Sequence, residues 1–163
     1  MLPIKNKSEK GFTIVEAVVS VLILSIAITG AMQILVKNSN DANAIKDSFI
    51  ASGLAQEGIE IVRNFRDNEW SIPGALWGSI VQNGTWSVQW DSALLGGNNN
   101  VVLKKDASGF YNYAAGLNTP FKRSIVISSP NPGIEKKITV TVSWTERSDP
   151  KSLIVEDHLY NWK

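Results

Sequence analysis

Residues 17–36, which read AVVSVLILSIAITGAMQILV, form an uncharged apolar run near the start of the 163-residue chain. A helix of this length covers about 30 Å, which is the thickness of the hydrocarbon layer of a bilayer. The run exceeds the roughly 7–15 apolar residues of a secretory signal peptide. Before it lies a polar opening that contains Lys5, Lys7 and Lys10 against Glu9. Because basic flanks stay on the cytoplasmic side, we predict a single-pass membrane segment at 17–36 with the C-terminal part extracytoplasmic.

The overall composition excludes several classes of protein. The chain is 44% hydrophobic and 19% charged, which is not the composition of a disordered chain. It has no cysteine and one histidine, which excludes disulfides, thiolate metal sites, a cysteine nucleophile and a multi-histidine metal site. The net charge of +1 argues against a broad basic face for nucleic acid. We therefore expect no metal and no cofactor, and the composition predicts no nucleic-acid partner.

The helical pattern continues beyond the apolar run. Apolar and small residues recur there at spacings of three and four, which indicates one stripe of an amphipathic helix. No proline lies between Pro3 and Pro73, so we predict one long helix over residues 12–66. Within it, Gly30 allows either local bending or close approach of neighbouring helices. The predicted buried stripe consists of Ile45, Phe49, Ser52, Ala55, Ile59, Val62 and Phe65.

After Asp67 the alternation typical of β-strands replaces the helical period. Residues 137–145 alternate apolar side chains with threonine and serine, which predicts a strand with one buried face. The sequence Asn83-Gly84 lies between residues 80–82 and a run that carries Trp86, Val88 and Trp90 on one side, which predicts a β-hairpin. We therefore expect an antiparallel sheet covered on one face by the amphipathic helix. The predicted strands cover residues 85–91, 101–105, 110–113, 121–128, 137–145 and 152–160.

The residues at the helix start carry one specific motif. Lys10-Gly11-Phe12-Thr13-Ile14-Val15-Glu16, followed by the apolar run, resembles the N-terminal signature of type IV prepilins and pseudopilins. The pattern is a short basic leader that ends in glycine, then phenylalanine, then a hydrophobic helix with a glutamate four residues on. The resemblance is detailed over about residues 8–36. The stretch Leu54–Glu60 is also similar to minor pilins of the modification-protein type, a weaker likeness.

The resemblance implies a fold and a division of the chain. The fold is α+β and type IV pilin-like, with a long N-terminal helix whose first half spans the membrane and whose second half packs on a C-terminal antiparallel sheet. Residues 1–11 are then a leader peptide, residues 12–66 the long helix with its transmembrane part at 17–36, and residues 67–163 an extracytoplasmic β-rich head.

The resemblance also implies a function. A prepilin peptidase/methyltransferase cleaves such a chain after Gly11 and methylates the new amino group of Phe12. The product is not an enzyme but a structural subunit, a minor pilin or pseudopilin of a type IV pilus or type II secretion-like filament. Its other partners are membrane lipid, an inner-membrane assembly platform and further pilin or pseudopilin subunits. It resides first in the cell inner membrane and then in the filament.

Glu16 is the candidate residue for filament assembly. A carboxylate inside a membrane span is costly and marks a functional site by default. The pilin resemblance implies that it pairs with the amino group of Phe12 on a neighbouring subunit and so sets the register. The alternative is an acid at a helix start, where the helix dipole favours a negative charge.

The other candidates for chemistry are weaker. We expect His158 to be a satisfied surface or core histidine, and Asp106 with Asn98–Asn100 to be loop residues and not calcium ligands. The six tryptophans are expected to pack in the core. The formal glycosylation sequon at Asn83 is explained by the turn. A second function remains open, which is a membrane-anchored extracytoplasmic binding or enzyme domain that has no need of Gly11, Phe12 or Glu16.

Overall fold

The computed structural model describes residues 11–97 and 101–162. Most of the predicted leader and all of Asn98–Asn100 therefore lie outside the described residues. The chain divides into two compact units, Met1–Asn43 and Ala44–Lys163. Its elements are α1 (Ile14–Ser71), β1 (Gly84–Trp86), β2 (Val102–Lys105), β3 (Tyr111–Asn112), β4 (Leu117–Ser128), β5 (Glu135–Glu146) and β6 (Asp149–Tyr160).

The long helix α1 matches the predicted element closely. It begins at Ile14 and ends at Ser71, whereas the sequence pattern predicts residues 12–66. Pro73 explains the end, because the residue before a proline is pushed away from helical backbone angles. Ile72, in that position, is the first residue outside the helix.

The sheet is antiparallel throughout and lies in the second unit. Its strand order is β3-β2-β4-β5-β6, and the short β1 pairs with β4. The three long strands β4, β5 and β6 have 12 residues each. They confirm the strands that the alternation predicts at 121–128, 137–145 and 152–160. A turn at Asp106–Gly109 joins β2 to β3, which pair with each other.

The core lies between the sheet and the part of α1 that begins at Ala51, which confirms the α+β, type IV pilin-like architecture. The predicted buried stripe is wrong at its start, because Ile45 is 70% exposed and Phe49 is 80% exposed. Both precede Ala51, the first buried residue of the helix. From there on, the buried helix residues are Ala51, Leu54, Ala55, Gly58, Ile59, Val62, Phe65 and Glu69.

Gly58 lies where the helix approaches β5 closely. A Cβ atom added there would lie 3.0 Å from Cγ1 and 3.3 Å from Cγ2 of Val140. Contacts that short are tighter than nearly all real Cβ contacts. The glycine therefore permits an approach of helix to sheet that a side chain would obstruct.

The predicted hairpin around Asn83-Gly84 is wrong. Residues 80–82 form no strand, and β1 pairs instead with β4, where Thr85 lies opposite Val126. The backbone N–H of Ile80 donates to the Glu69 carboxylate at 2.9 Å, so the chain before the turn is held by the helix. The prediction that Trp86, Val88 and Trp90 lie on one side of a strand is also wrong. The strand ends at Trp86, and beyond it Val88 is buried whereas Trp90 is exposed.

Candidate processing and assembly site

The predicted processing residues stand immediately before α1. Gly11, Phe12 and Thr13 are exposed and precede the first helical residue, Ile14. Thr13 caps the helix, because its hydroxyl oxygen accepts the backbone N–H of Glu16 at 3.2 Å. Such a cap satisfies one of the N–H groups that the first helical turn leaves without a partner.

Glu16 lies in the first turn of α1 and is exposed. There it lies near the positive end of the helix dipole. Thr13 and Glu16 also have the spacing of a capping box, in which a threonine and a glutamate three residues on cap the same helix end. Sequence reasoning missed this cap, although the Thr-x-x-Glu spacing is visible in the printed sequence. The structure thus places Gly11, Phe12 and Glu16 together at one helix start.

The apolar side chains that follow are exposed along the first unit. By length and composition α1 is suited to cross a membrane, and none of its most apolar window is buried. Three hydroxyl side chains interrupt the apolar surface, and each donates to a carbonyl of its own helix. Ser20 bonds to Glu16, Ser25 to Val21 and Thr29 to Ser25, at 2.7, 2.7 and 2.9 Å. These hydroxyls need no water, so the helix surface suits lipid or other apolar helices.

In the second unit, a buried arginine joins three parts of the chain. Arg123 on β4 has no exposed side-chain surface. Its guanidinium donates to the carbonyls of Leu54 at 3.0 Å and Val88 at 2.6 Å. It also approaches the Glu57 carboxylate to 3.1 Å, as an ion pair without hydrogen-bond geometry. A buried charge is costly unless it is paired. The contacts of Arg123 therefore hold the helix, through Leu54 and Glu57, and the chain at Val88 to the sheet.

A second buried polar cluster holds the end of α1. Glu69 is almost fully buried, and its carboxylate accepts the Ser79 hydroxyl at 2.7 Å as well as the N–H of Ile80. Lys136 donates to the side-chain oxygen of Asn83 at 2.9 Å. Burial lowers the pKa of Lys136, and the nearby Glu69 charge partly offsets that effect. Asn83, the sequon residue, therefore has a structural role.

The weaker candidates have ordinary structural roles. The Nδ1 atom of His158 lies 2.5 Å from a carboxylate oxygen of Glu135, as expected of a satisfied histidine. Asp106 accepts the N–H groups of Ser108 and Phe110, each at 2.9 Å, and so closes the β2–β3 turn. Within residues 11–97 and 101–162, no three metal-ligating side chains cluster.

The six tryptophans do not share one environment. Trp144 is buried and lies 6.0 Å from the ring of Phe121, measured between ring centroids. Trp90 and Trp162 are exposed, so the prediction that all six pack in the core is wrong for these two. Trp162 instead contacts Trp70 edge to face at 5.0 Å.

Comparison with known proteins identifies the helix start. Residues 6–32 match the family model of the prokaryotic N-terminal methylation motif, which is the signal of type IV prepilins and pseudopilins. No curated protein and no solved structure matches the chain. The chain therefore carries a type IV prepilin signal on a pilin-like α+β fold, and these two features support a type IV pilin-like subunit.

Proposed function

We propose that the chain is a structural subunit, specifically a minor pilin or pseudopilin, of a type IV pilus or type II secretion-like filament. The observation that carries this proposal is the methylation motif at residues 6–32, which runs directly into an apolar helix surface that the chain leaves exposed. Lipid covers such a surface in a membrane, and the helices of other subunits cover it in a filament.

Processing is the first step of this function. Prepilin peptidase/methyltransferase cleaves after Gly11 on the cytoplasmic side and methylates Phe12. Residues 1–11 are then the leader, residues 12–66 the long helix with its transmembrane part at 17–36, and residues 67–163 the extracytoplasmic head. Because the cut precedes the apolar run, the run stays in the mature subunit. It anchors the subunit in the inner membrane and, after transfer through the assembly platform, packs against other pilin or pseudopilin subunits.

Mass spectrometry of the membrane-extracted protein tests the processing step. We expect a mature N-terminus at methylated Phe12, and an intact leader after Gly11→Leu, because a peptidase pocket shaped for glycine excludes a side chain. Gly53→Leu is the matched control, since Gly53 lies on the exposed face of α1 far along the chain and has nothing within 4 Å of an added Cβ. A wild-type chain with an intact leader would contradict the proposal and favour a plain membrane anchor.

Glu16 supplies the second step, which is recruitment by pairing with the Phe12 amino group of a neighbouring subunit. Its position in the capping-box spacing offers a sharp test, because Glu16→Gln keeps the polar side chain that this spacing calls for and removes the charge, whereas Glu16→Ala removes both. If the charge acts in assembly, both variants reach the membrane normally and fail to co-purify with filaments. If Glu16→Gln is incorporated at the wild-type level, Glu16 serves only as a helix cap and the pairing is refuted.

A further inference from the structure

The last strand, β6, is a long edge of the sheet. It pairs with β5 over its whole length of 12 residues without a register shift. In the described part of the chain no strand pairs with its other side. The opposite edge of the sheet differs, because it ends at β3 with only two residues. Since long, regular edges attract additional strands, proteins usually shorten, bulge or cover them. β6 is therefore the edge of this sheet that is neither short nor interrupted by a bulge.

The ladder alternation shows which backbone groups of β6 are free. The N–H of Asn161 donates to the carbonyl of Ile134 at 2.8 Å. Because hydrogen-bonded residues alternate along an antiparallel strand, the odd-numbered residues of β6 bond to β5. In an antiparallel pair the residues between them direct their N–H and C=O groups away from the partner. Pro150, which has no N–H, occupies such an outward position. The N–H groups that face the open edge belong to Ser152, Ile154, Glu156, His158 and Tyr160.

A groove of about 590 Å³ runs between this edge and α1. Ile59 of the helix and Val155 of the strand supply apolar surface within it. Gly53 also lines it, and an added Cβ there meets no atom within 4 Å. A glycine in an exposed helix interior costs about 1 kcal/mol relative to alanine. No described atom fills the space beside Gly53, and a side chain inserted from outside would use it.

The groove carries an excess of negative charge. Four of its lining residues carry a carboxylate and one carries a guanidinium. Glu57 pairs with Arg123, and Glu156 pairs with Lys137 at 2.8 Å. Arg63 donates to Asp157 at 3.0 Å, and that hydrogen bond is the main cause of its raised pKa.

The carboxylate in excess is Glu60, because it shares the Arg63 guanidinium with Asp157. It reaches Arg63 only at 3.4 Å, and its side chain is 72% exposed. A basic residue in an occupant of the groove would neutralise it.

We propose that β6 and this groove bind an extended, basic segment of another protein, which joins the sheet as an additional strand. Its main chain bonds to the outward backbone groups of β6, its alternate aliphatic side chains enter the groove beside Gly53, and a lysine or arginine meets Glu60. A second copy of this chain fits poorly, because its β6 would bring the adjacent acids Glu156 and Asp157 to an edge that is already acidic. The inference concerns the second unit alone and stands whether or not the chain enters a filament.

Amide hydrogen exchange on the full chain in detergent micelles tests the strand pairing. The probe is a synthetic peptide of alternating threonine, valine and lysine, and the control peptide has glutamate in place of lysine. We expect the basic peptide to slow exchange at the edge-facing amides by about tenfold or more, since each gains a hydrogen bond. The amides of Leu153, Val155 and Asp157 should not change, because they already bond to β5. Equal exchange at all β6 amides with and without about 1 mM peptide, a low-affinity limit, would overturn the proposal.

Variants separate main-chain pairing from surface adhesion. Ile154→Pro removes one outward N–H and should weaken peptide binding by about tenfold, whereas Ile154→Ala keeps the N–H and should bind within about twofold of wild type. Gly53→Leu fills the groove and should also weaken binding, and circular dichroism confirms that each variant is folded. Binding of the peptide by Ile154→Pro and Gly53→Leu with the wild-type affinity would refute strand addition. Edge protection that appears without peptide, together with a dimer, would show that a second copy is the occupant and overturn the proposed partner.

Discussion

The two glycines of α1 that border the head provide a matched test of the helix–sheet packing. Gly53 and Gly58 lie five residues apart in the same helix, and both positions receive the same change, to alanine. The difference is in what the new methyl group meets. At Gly53 it meets no atom within 4 Å, and at Gly58 it meets both methyl groups of Val140 and Cδ of Arg123 at 3.0–3.4 Å.

The expected free energies follow from two opposing effects. Alanine favours a helix over glycine by about 1 kcal/mol at either position, so Gly53→Ala should stabilise the head by about that amount. At Gly58 the methyl group presses on Val140, which is fully buried and cannot move into open space. Overpacking of this kind costs about 1–3 kcal/mol. We therefore expect the two variants to differ by about 1–3 kcal/mol in free energy of unfolding, with Gly58→Ala the less stable.

Urea unfolding of the full chain in micelles, followed by tryptophan fluorescence, measures this difference. The buried Trp144 reports on the core, and equal slopes of the two transitions show that the same surface unfolds in each case. The reasoning is refuted if Gly58→Ala is as stable as Gly53→Ala within about 0.5 kcal/mol, the usual size of a surface effect. Helix and sheet would then lie farther apart than the 3.0 Å contact requires.

Three further predictions concern the head. Arg123→Met should lower the free energy of unfolding by about 3 kcal/mol. Two carbonyls lose their donor, and the Glu57 side chain, 30% exposed, is only partly rehydrated. An effect below about 1 kcal/mol in urea unfolding would contradict the buried network. Trp144→Ala removes the fluorescence reporter and should cost about 3–5 kcal/mol in urea unfolding followed by circular dichroism, and an unchanged midpoint would contradict the burial of Trp144 against the helix. The hydrogen bond with His158 is the main cause that lowers the pKa of Glu135 below its ordinary 4.5, so the stability from this group is present above that pH and is lost as the pH falls below it. Between pH 6 and pH 3 the unfolding midpoint of Glu135→Gln should therefore fall less than that of the wild type, and an equal fall would exclude this group as a source of acid sensitivity.

Two features of β6 limit the pairing of further strands with its open edge. Pro150 and the ion pair of Asp157 with Arg63 protect the edge in part, since proline and inward-facing charge both discourage uncontrolled strand addition. Ser152 to Glu156 lie between these two features. We therefore expect the slowing of amide exchange by the peptide to be strongest within this stretch, where side chains of the added segment enter the groove.

The sequence by itself determined the features that rest on local pattern. The uncharged run, the Lys10–Glu16 motif and the long helical period required only neighbouring residues, and the alternation at 137–145 was sufficient to place β5 and its buried face. Thr13 and Glu16 carried a further local signal, the capping box, that was available in the sequence and was missed.

The tertiary structure decided which of these patterns is buried and what each strand pairs with. Ile45 and Phe49 have the right helical spacing, but the sheet covers α1 only from Ala51, so both stay exposed. The Asn83-Gly84 signal is strong locally, yet the Glu69 carboxylate, 11 residues back along the chain, captures the backbone of Ile80 and leaves β1 to pair with β4. Neither outcome is encoded in a local window, because burial and strand pairing depend on contacts between residues far apart in sequence.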